Sequence, residues 1–500
     1  MNTGEDPQAN NPSLDDAATG SLRAGVARID ITTNEEAVRV KDPLFAKALV
    51  LDDGATQVVI IAMDAVAIGG ICDIKDDFLP KLRGRIEAEL NIPGQHVLVN
   101  ASHTHPPSPL LCEDDEILNR TFDAVSCAAA DLTPVKVGVG AGHEDRITIN
   151  RTLRMKNGLH WTVRHANPCP PDDEVEGIAP IDPQIGVIRI DRLDGRPLAV
   201  IYNFACHLLF GDPQGSVTAN FVGVASKVIE DALGHGATAL FLQGAAGDVI
   251  DVLFKDFHRP RDVEPLGNML ALSTLEAVRG IETGNAELKV ITETVVFPRR
   301  TDIPRRIEAL EHEQTELLAS LRFTTLDFKT FMPMYIRYAL DPDHPADFSF
   351  RYLQAKETGS DAFTAMDTLN RENMDKYVAN IRAMEKLARI QDKIATLQRH
   401  QAINDEAGEP TITAEMQGIR IGDCVLITST TEVLTEVALN IKRSSPYRHT
   451  LVAAFSNGYI HYGPPADDYD KGGYEVTECF IAPQWHKIFE DKAGDIISRL

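Results

Sequence analysis

HVLVNASHTH (96–105) decides how the chain is read: a run of apolar and β-branched residues that ends in two histidines one residue apart. Such a run predicts a buried strand with the histidines at its carboxyl end. Upstream, FLPKLRGRIEAEL (78–90) has helical periodicity, and QVVIIAMDAV (57–66) is another β-branched run. Downstream come KVGVGAG (136–142), IGVIRID (185–191), LAVIYNFAC (198–206) and, after the amphipathic FVGVASKVIEDAL (221–233), ATALFLQ (237–243). Alternation of strands and helices from Leu22 to Arg299 predicts α/β architecture.

Between about residues 302 and 407 the pattern changes. RIEALEHEQTELLASL (306–321) and ENMDKYVANIRAMEKLARIQDKIATLQRH (372–400) are charged, helically periodic and poor in β-branched residues. The Pro-rich, aromatic FMPMYIRYALDPDHPADFSF (331–350) lies between them. A helical insertion is expected here, serving as a lid or a subunit contact, or standing as a solvated hairpin with no part in a site. Strand patterns resume at GIRIGDCVLITST (418–430) and TLVAAFS (450–456), and helical HKIFEDKAGDIISRL (486–500) follows.

Composition narrows the function. A formal net charge of −25, from 49 Lys+Arg against 74 Asp+Glu, repels phosphate backbones and argues against nucleic acid as a partner. The seven cysteines include no CxxC pair and read as free thiols of a reducing compartment. Residues 1–21 are polar, lack the basic and apolar regions of a signal peptide, and predict a disordered leader. No apolar run reaches membrane-spanning length. These features predict a cytoplasmic protein without membrane insertion, with homo-oligomer contacts available through the insertion.

Five predicted strands end in polar residues. HVLVNAS runs into His103-Thr104-His105, LAVIYNFAC into His207, and ATALFLQ into Gly244-Ala245-Ala246-Gly247-Asp248. CVLITST runs into Thr431-Glu432, and TLVAAFS into Asn457-Gly458-Tyr459-Ile460-His461-Tyr462. Ligands of α/β proteins sit beyond the carboxyl ends of strands, so convergence of these ends would make one pocket. Each piece also has a plain structural role. The histidines suit core or capping positions, Glu432 suits a helix N-terminus, Tyr462 suits packing, and Gly-Ala-Ala-Gly-Asp suits a tight turn. No HExxH signature decides between these readings.

Read in order, the segments ASHTHPPSP, ITINR, NFACH, QGAAGDV, IRIGDCVLITSTTE and FSNGYIHY resemble the neutral/alkaline (non-lysosomal) ceramidase family. That family carries an HTHSGP-like segment, NINR, a strand ending in a zinc-binding histidine, a GD turn, an RIGD…GE segment and SN-x-Y-x-H-Y. The likeness spans roughly residues 22 to 300 and 415 to 480. It implies an α/β, mixed-sheet, ceramidase-like catalytic domain over residues 22–500, with the helical insertion at about 302–407. It further implies His103, His207, Glu432 and Tyr462 as ligands of one zinc ion per chain. His105 and Arg151 take substrate-binding or oxyanion-stabilising places, and Tyr474 that of a second active-site tyrosine.

The sequence departs from this family where Gly247-Asp248-Val249-Ile250-Asp251 replaces GDVSP: Ile250 stands in place of a serine nucleophile. HTHSGP has become HTHPPSP, and the immunoglobulin-like domain and secretory leader of the family are not read in this chain. The expectation is therefore a zinc-dependent hydrolase of a small amide or ester other than ceramide, using metal-activated water. Asp248, Asp251 or His105 would serve as general base or acid, while Arg151 and Tyr474 hold a polar or anionic group. Two competing expectations are a side-chain nucleophile from Ser429, Thr430 or Thr431, and an inactive metal-binding or scaffold protein.

Overall fold

Along Phe45–Asp52 successive side chains turn to opposite faces: Ala46, Ala48 and Val50 enter one buried cluster, Leu49 and Leu51 another. Burial on both faces requires covering layers on both sides. The structure, a computed structural model, describes residues 22–105, 110–164, 169–209, 211–212, 214–253 and 261–500. The leader expected over residues 1–21, and residues 106–109 of the HTHPPSP segment, lie outside the described residues. The chain divides into two compact units, Met1–Arg300 with Pro410–Leu500, and Thr301–Glu409.

The first unit is built on an eight-stranded mixed sheet. Its spatial order is Thr238–Gln243, Pro197–Phe204, Gln184–Arg192, Thr133–His143, Arg23–Asp30, Phe45–Asp52, Gln57–Met63, Val97–Ala101. The outermost pair at each edge is parallel and the interior pairs are antiparallel. A second sheet orders Leu288–Pro298, Thr411–Ile421, Cys424–Thr428 and His449–Ala453. Its first strand was not expected from the sequence, because its side chains are largely half-exposed, and the second begins at Thr411, upstream of the strand pattern read from Gly418. Ile60 and Leu98 of the first sheet and Leu426 and Leu451 of the second share one buried cluster, so the sheets pack face to face. Helices Phe78–Leu90, Asp114–Ala130, Asn220–Leu233 and Glu264–Arg279 cover the first sheet, and Thr435–Ser444 and Trp485–Arg499 the second. Each fully buried leucine or isoleucine in these layers contributes about 1.5–3 kcal/mol. One close approach depends on a glycine: a Cβ on Gly25 would lie 1.9 Å from the Ala128 carbonyl oxygen of the covering helix.

The second unit is the helical insertion. It leaves the second sheet after Leu288–Pro298 and returns by Thr411–Ile421, which pair with Pro298 opposite Thr411. It comprises helices Ile303–Ser320, Phe328–Leu340, Ser349–Glu357 and the 46-residue Ala362–Ala407. The Pro-rich aromatic stretch thus folds as the end of one helix, which continues through Pro333, an irregular connection over 341–348 and the first two residues of the next helix. Phe331, Tyr338 and Met374 form its small core. No helix among the described residues is long and apolar enough to cross a membrane.

Candidate metal centre

Buried polar side chains lace the carboxyl ends of strands from both sheets. Asn100 donates to the Ala454 carbonyl at 2.6 Å and accepts from the Gln243 N–H at 2.8 Å. Gln243 donates to the carbonyls of Ser102 and Cys206, and Asn203 to those of Leu242 and Val452. Satisfied networks of this kind fix a unique arrangement, because any slip strands a buried polar group. They carry His103, His207, Glu432 and Tyr462 to one place. The chain there is strained: His103, Phe455, Asn457 and His461 all adopt left-handed φ values of 56–63°. Non-glycine residues in that region cost about 1–3 kcal/mol each and gather at functional sites.

His103 and His207 are almost completely buried. The His103 Nδ1–H donates to the Val66 carbonyl at 2.7 Å, and the His207 Nδ1–H to that of Ala246. Protons on Nδ1 leave both Nε2 atoms as lone-pair donors, the orientation that metal-binding imidazoles take. These atoms lie 3.6 and 3.1 Å from the same Glu432 oxygen, Oε2. With no proton on either Nε2, Glu432 Oε2 is buried and unpaired. His105 joins them: its Nε2 is 2.8 Å from that of His103, and donor atoms of His103, His105 and His207 all lie within 4.8 Å of one another. Three converging imidazoles and an orphaned carboxylate oxygen fit a divalent metal of borderline softness.

The electrostatics agree with that fit. Burial, together with His105, pulls the His103 pKa well below its usual range; burial and His207 bring His105 down to about 4. Burial opposes ionisation of Glu432, and the Tyr459 hydroxyl that donates to Oε1 favours it. Tyr459 donates to Glu432 Oε1, leaving Oε2 to face the histidines.

The remaining expected residues fall into two groups. Glu432 and Tyr462 stand opposite each other in a parallel pair of short strands, and Tyr462 Oη accepts from Arg151 at 3.1 Å. Arg151 is buried, donating to Glu475 at 2.7 Å and to the Gly247 carbonyl at 2.7 Å. The Tyr474 ring lies 5.5 Å from that of Tyr462, with burial pushing its phenol up to about 12. Asp248 and Asp251 are engaged elsewhere. Asp248 accepts from the N–H and hydroxyl of Thr435 and from Asn150, and Asp251 pairs with Arg261 and accepts from the Leu253 N–H. Among the described residues neither is bonded to the imidazoles. Ser429 and Thr431 are buried and bonded to one another, and Thr430 is buried beside them. Gly247 approaches so closely that a Cβ would sit 2.6 Å from the Glu432 carbonyl oxygen.

Tyr459, Glu475 and Arg164 were given no role from the sequence. Tyr459 lies inside SNGYIHY and Glu475 follows Tyr474, so position was a signal for both. Nothing in the sequence marked Arg164, whose guanidinium lies 3.6 Å above the Tyr474 ring. Two cavities open nearby, one lined by Arg151 and one by its partner Glu475. One of about 510 Å³ is bordered by Arg151 itself, Ile250, Asp251 and the apolar Ile149, Val163 and Ile178. The other, about 360 Å³, is bordered by Asp248, Glu475, His160 and Asp468.

Two solved structures superpose on nearly the whole chain. Neutral ceramidase from Pseudomonas aeruginosa matches with a TM-score of 0.58 and 16% identity, over 96% of this chain and 75% of that one. A ceramidase complexed with C2 matches with a TM-score of 0.59 and 16% identity, over 96% and 76%. The fold is ceramidase-like. No protein-family model matches the sequence, and none of the curated proteins does. In this ceramidase-like fold Ile250 forms part of a short strand, opposite Ile149, and is buried against the larger cavity.

Proposed function

We propose that the protein is a zinc-dependent hydrolase that cleaves an amide or ester bond of a small molecule by attack of water, and that its substrate is not ceramide. His103, His207 and Glu432 would hold the ion, with His105 and Tyr462 bordering the fourth position. Zinc in such a setting supplies acidified water and a polarised carbonyl. The chain's own groups do the rest. His105 is the proton acceptor at the centre, since Asp248 and Asp251 spend their oxygens on other partners. Arg151, neutralised by Glu475, spends both Nη2 hydrogens on the Gly247 carbonyl and the Tyr462 hydroxyl, and its Nη1 would be the preorganised donor to a developing oxyanion. Tyr474 and Arg164 hold a polar or anionic group of the substrate. The apolar cavity beside Ile250 takes a hydrophobic limb, and the isoleucine leaves water as the nucleophile.

The observation that carries this reading is the orphaned Glu432 Oε2 facing two imidazole lone pairs. Hydrolysis of p-nitrophenyl esters and anilides, assayed before and after chelation, tests it. Activity lost to chelator and restored by zinc is expected; activity indifferent to chelator would refute it. The replacement of a serine by Ile250 also favours an inert metal-binding protein, which predicts bound zinc with no turnover of any ester or amide.

A further inference from the structure

Helices Phe328–Leu340 and Ser349–Glu357 of the insertion are locked to the long helix by one buried carboxylate. Asp367 accepts from the Tyr338 hydroxyl at 2.8 Å and from the Tyr352 hydroxyl at 2.6 Å. Phe331 packs inward against Tyr377, with ring centroids 4.6 Å apart. The two short helices are therefore fixed, and what they show to solvent is a built surface. That surface is apolar. Within the helices Phe328 is 65% exposed and Phe350 61%, and just outside them Phe323 is 89% and Phe348 72%. At about 200 Å² per aromatic side chain, these four leave roughly 570 Å² in water. Tyr335, Ile336, Leu340 and Leu353, each about half exposed or more, bring the total to roughly 1,000 Å².

We propose that this face is a homodimer interface, covered by the same face of a second copy of the chain. The largest apolar patch of an ordinary monomer is about 300–600 Å², whereas a standard interface buries about 800 Å² per partner. The summed exposure of these side chains is of the order that the second requires of one partner. The charges around it point to a copy of itself. Four acids, Asp327, Asp341, Asp343 and Asp347, share this stretch with three bases, Lys329, Arg337 and Arg351. A two-fold axis brings a self-complementary rim of mixed sign into register with itself. An anionic membrane would instead call for a cluster of basic residues, absent from this stretch of a chain with net charge −25.

The test is sedimentation equilibrium on the full chain, wild type beside Leu340→Asp/Phe350→Asp, with circular dichroism and thermal melting as controls for folding. Both positions are exposed, so the double variant should keep its spectrum and melting temperature. Wild type is expected at twice the chain mass, dissociating on dilution, and the variant at the chain mass with at least a hundredfold weaker association. A wild type that stays monomeric throughout the dilution series would overturn the proposal. So would a folded variant that still dimerises, which would place the interface elsewhere. Monomeric wild type floating with phosphatidylcholine vesicles, lost in the variant, would assign the face to a lipid surface instead.

Discussion

Removing the charge of Glu475 should destabilise the protein more than any other single isosteric change near the centre. Arg151 and Glu475 are buried, 4% and 3% exposed, and meet at 2.7 Å. Glu475→Gln preserves the shape and an acceptor for the Arg151 Nε–H but leaves a buried guanidinium with no bonded counter-charge. Breaking a buried pair from one side costs about 3–5 kcal/mol, because the surviving charge keeps its desolvation penalty. Removing both charges is far cheaper, so Arg151→Met/Glu475→Gln should be more stable than the sum of the single variants by at least about 2 kcal/mol. Urea unfolding followed by fluorescence of Trp161 and Trp485, the only two tryptophans, reads all four corners of the cycle. A Glu475→Gln loss below about 1 kcal/mol, or an additive cycle, would refute the claim that this pair is a mutually dependent buried charge unit.

Three further outcomes follow from other parts of the structure. Tyr459→Phe removes the hydroxyl that holds Glu432 Oε1, and metal affinity measured by chelator competition should fall about 10–100-fold while the fold persists. Burial pushes Asp64 up to about 6, above its ordinary 3.8, so its stability contribution is full at low pH and is lost as pH rises through about 6. Asp64→Asn should therefore be more stable than wild type at pH 7 and equal to it near pH 3. The gain is about 1–2 kcal/mol, discounted because the carboxyl borders an open cavity. Gly25→Ala should cost about 3 kcal/mol or more in the same unfolding assay, since its Cβ meets the backbone of the covering helix.

Continuous apolar, β-branched runs made the strands that lead to His103 and His207 readable, because burial on both faces of a strand calls for such runs. His-x-His on an extended segment likewise announced that two imidazoles could share a side, and His105 does meet His103 at 2.8 Å. The strand Leu288–Pro298 is largely half-exposed and was hidden for that reason, as was the start of Thr411–Ile421 before Gly418. Tyr459 and Glu475 act through partners distant in sequence, Glu432 and Arg151, a kind of information that no local pattern holds. The roles of Asp248 and Asp251 were obscured in the same way, because Thr435, Asn150 and Arg261 claim their oxygens only in the folded chain.

Elemental analysis of metal in the purified wild-type chain, beside His103→Ala and His207→Ala, tests the account most directly. It predicts about one zinc per wild-type chain and almost none in either variant, with circular dichroism showing all three folded. No metal in the wild type, or zinc undiminished in folded His103→Ala and His207→Ala, would contradict it.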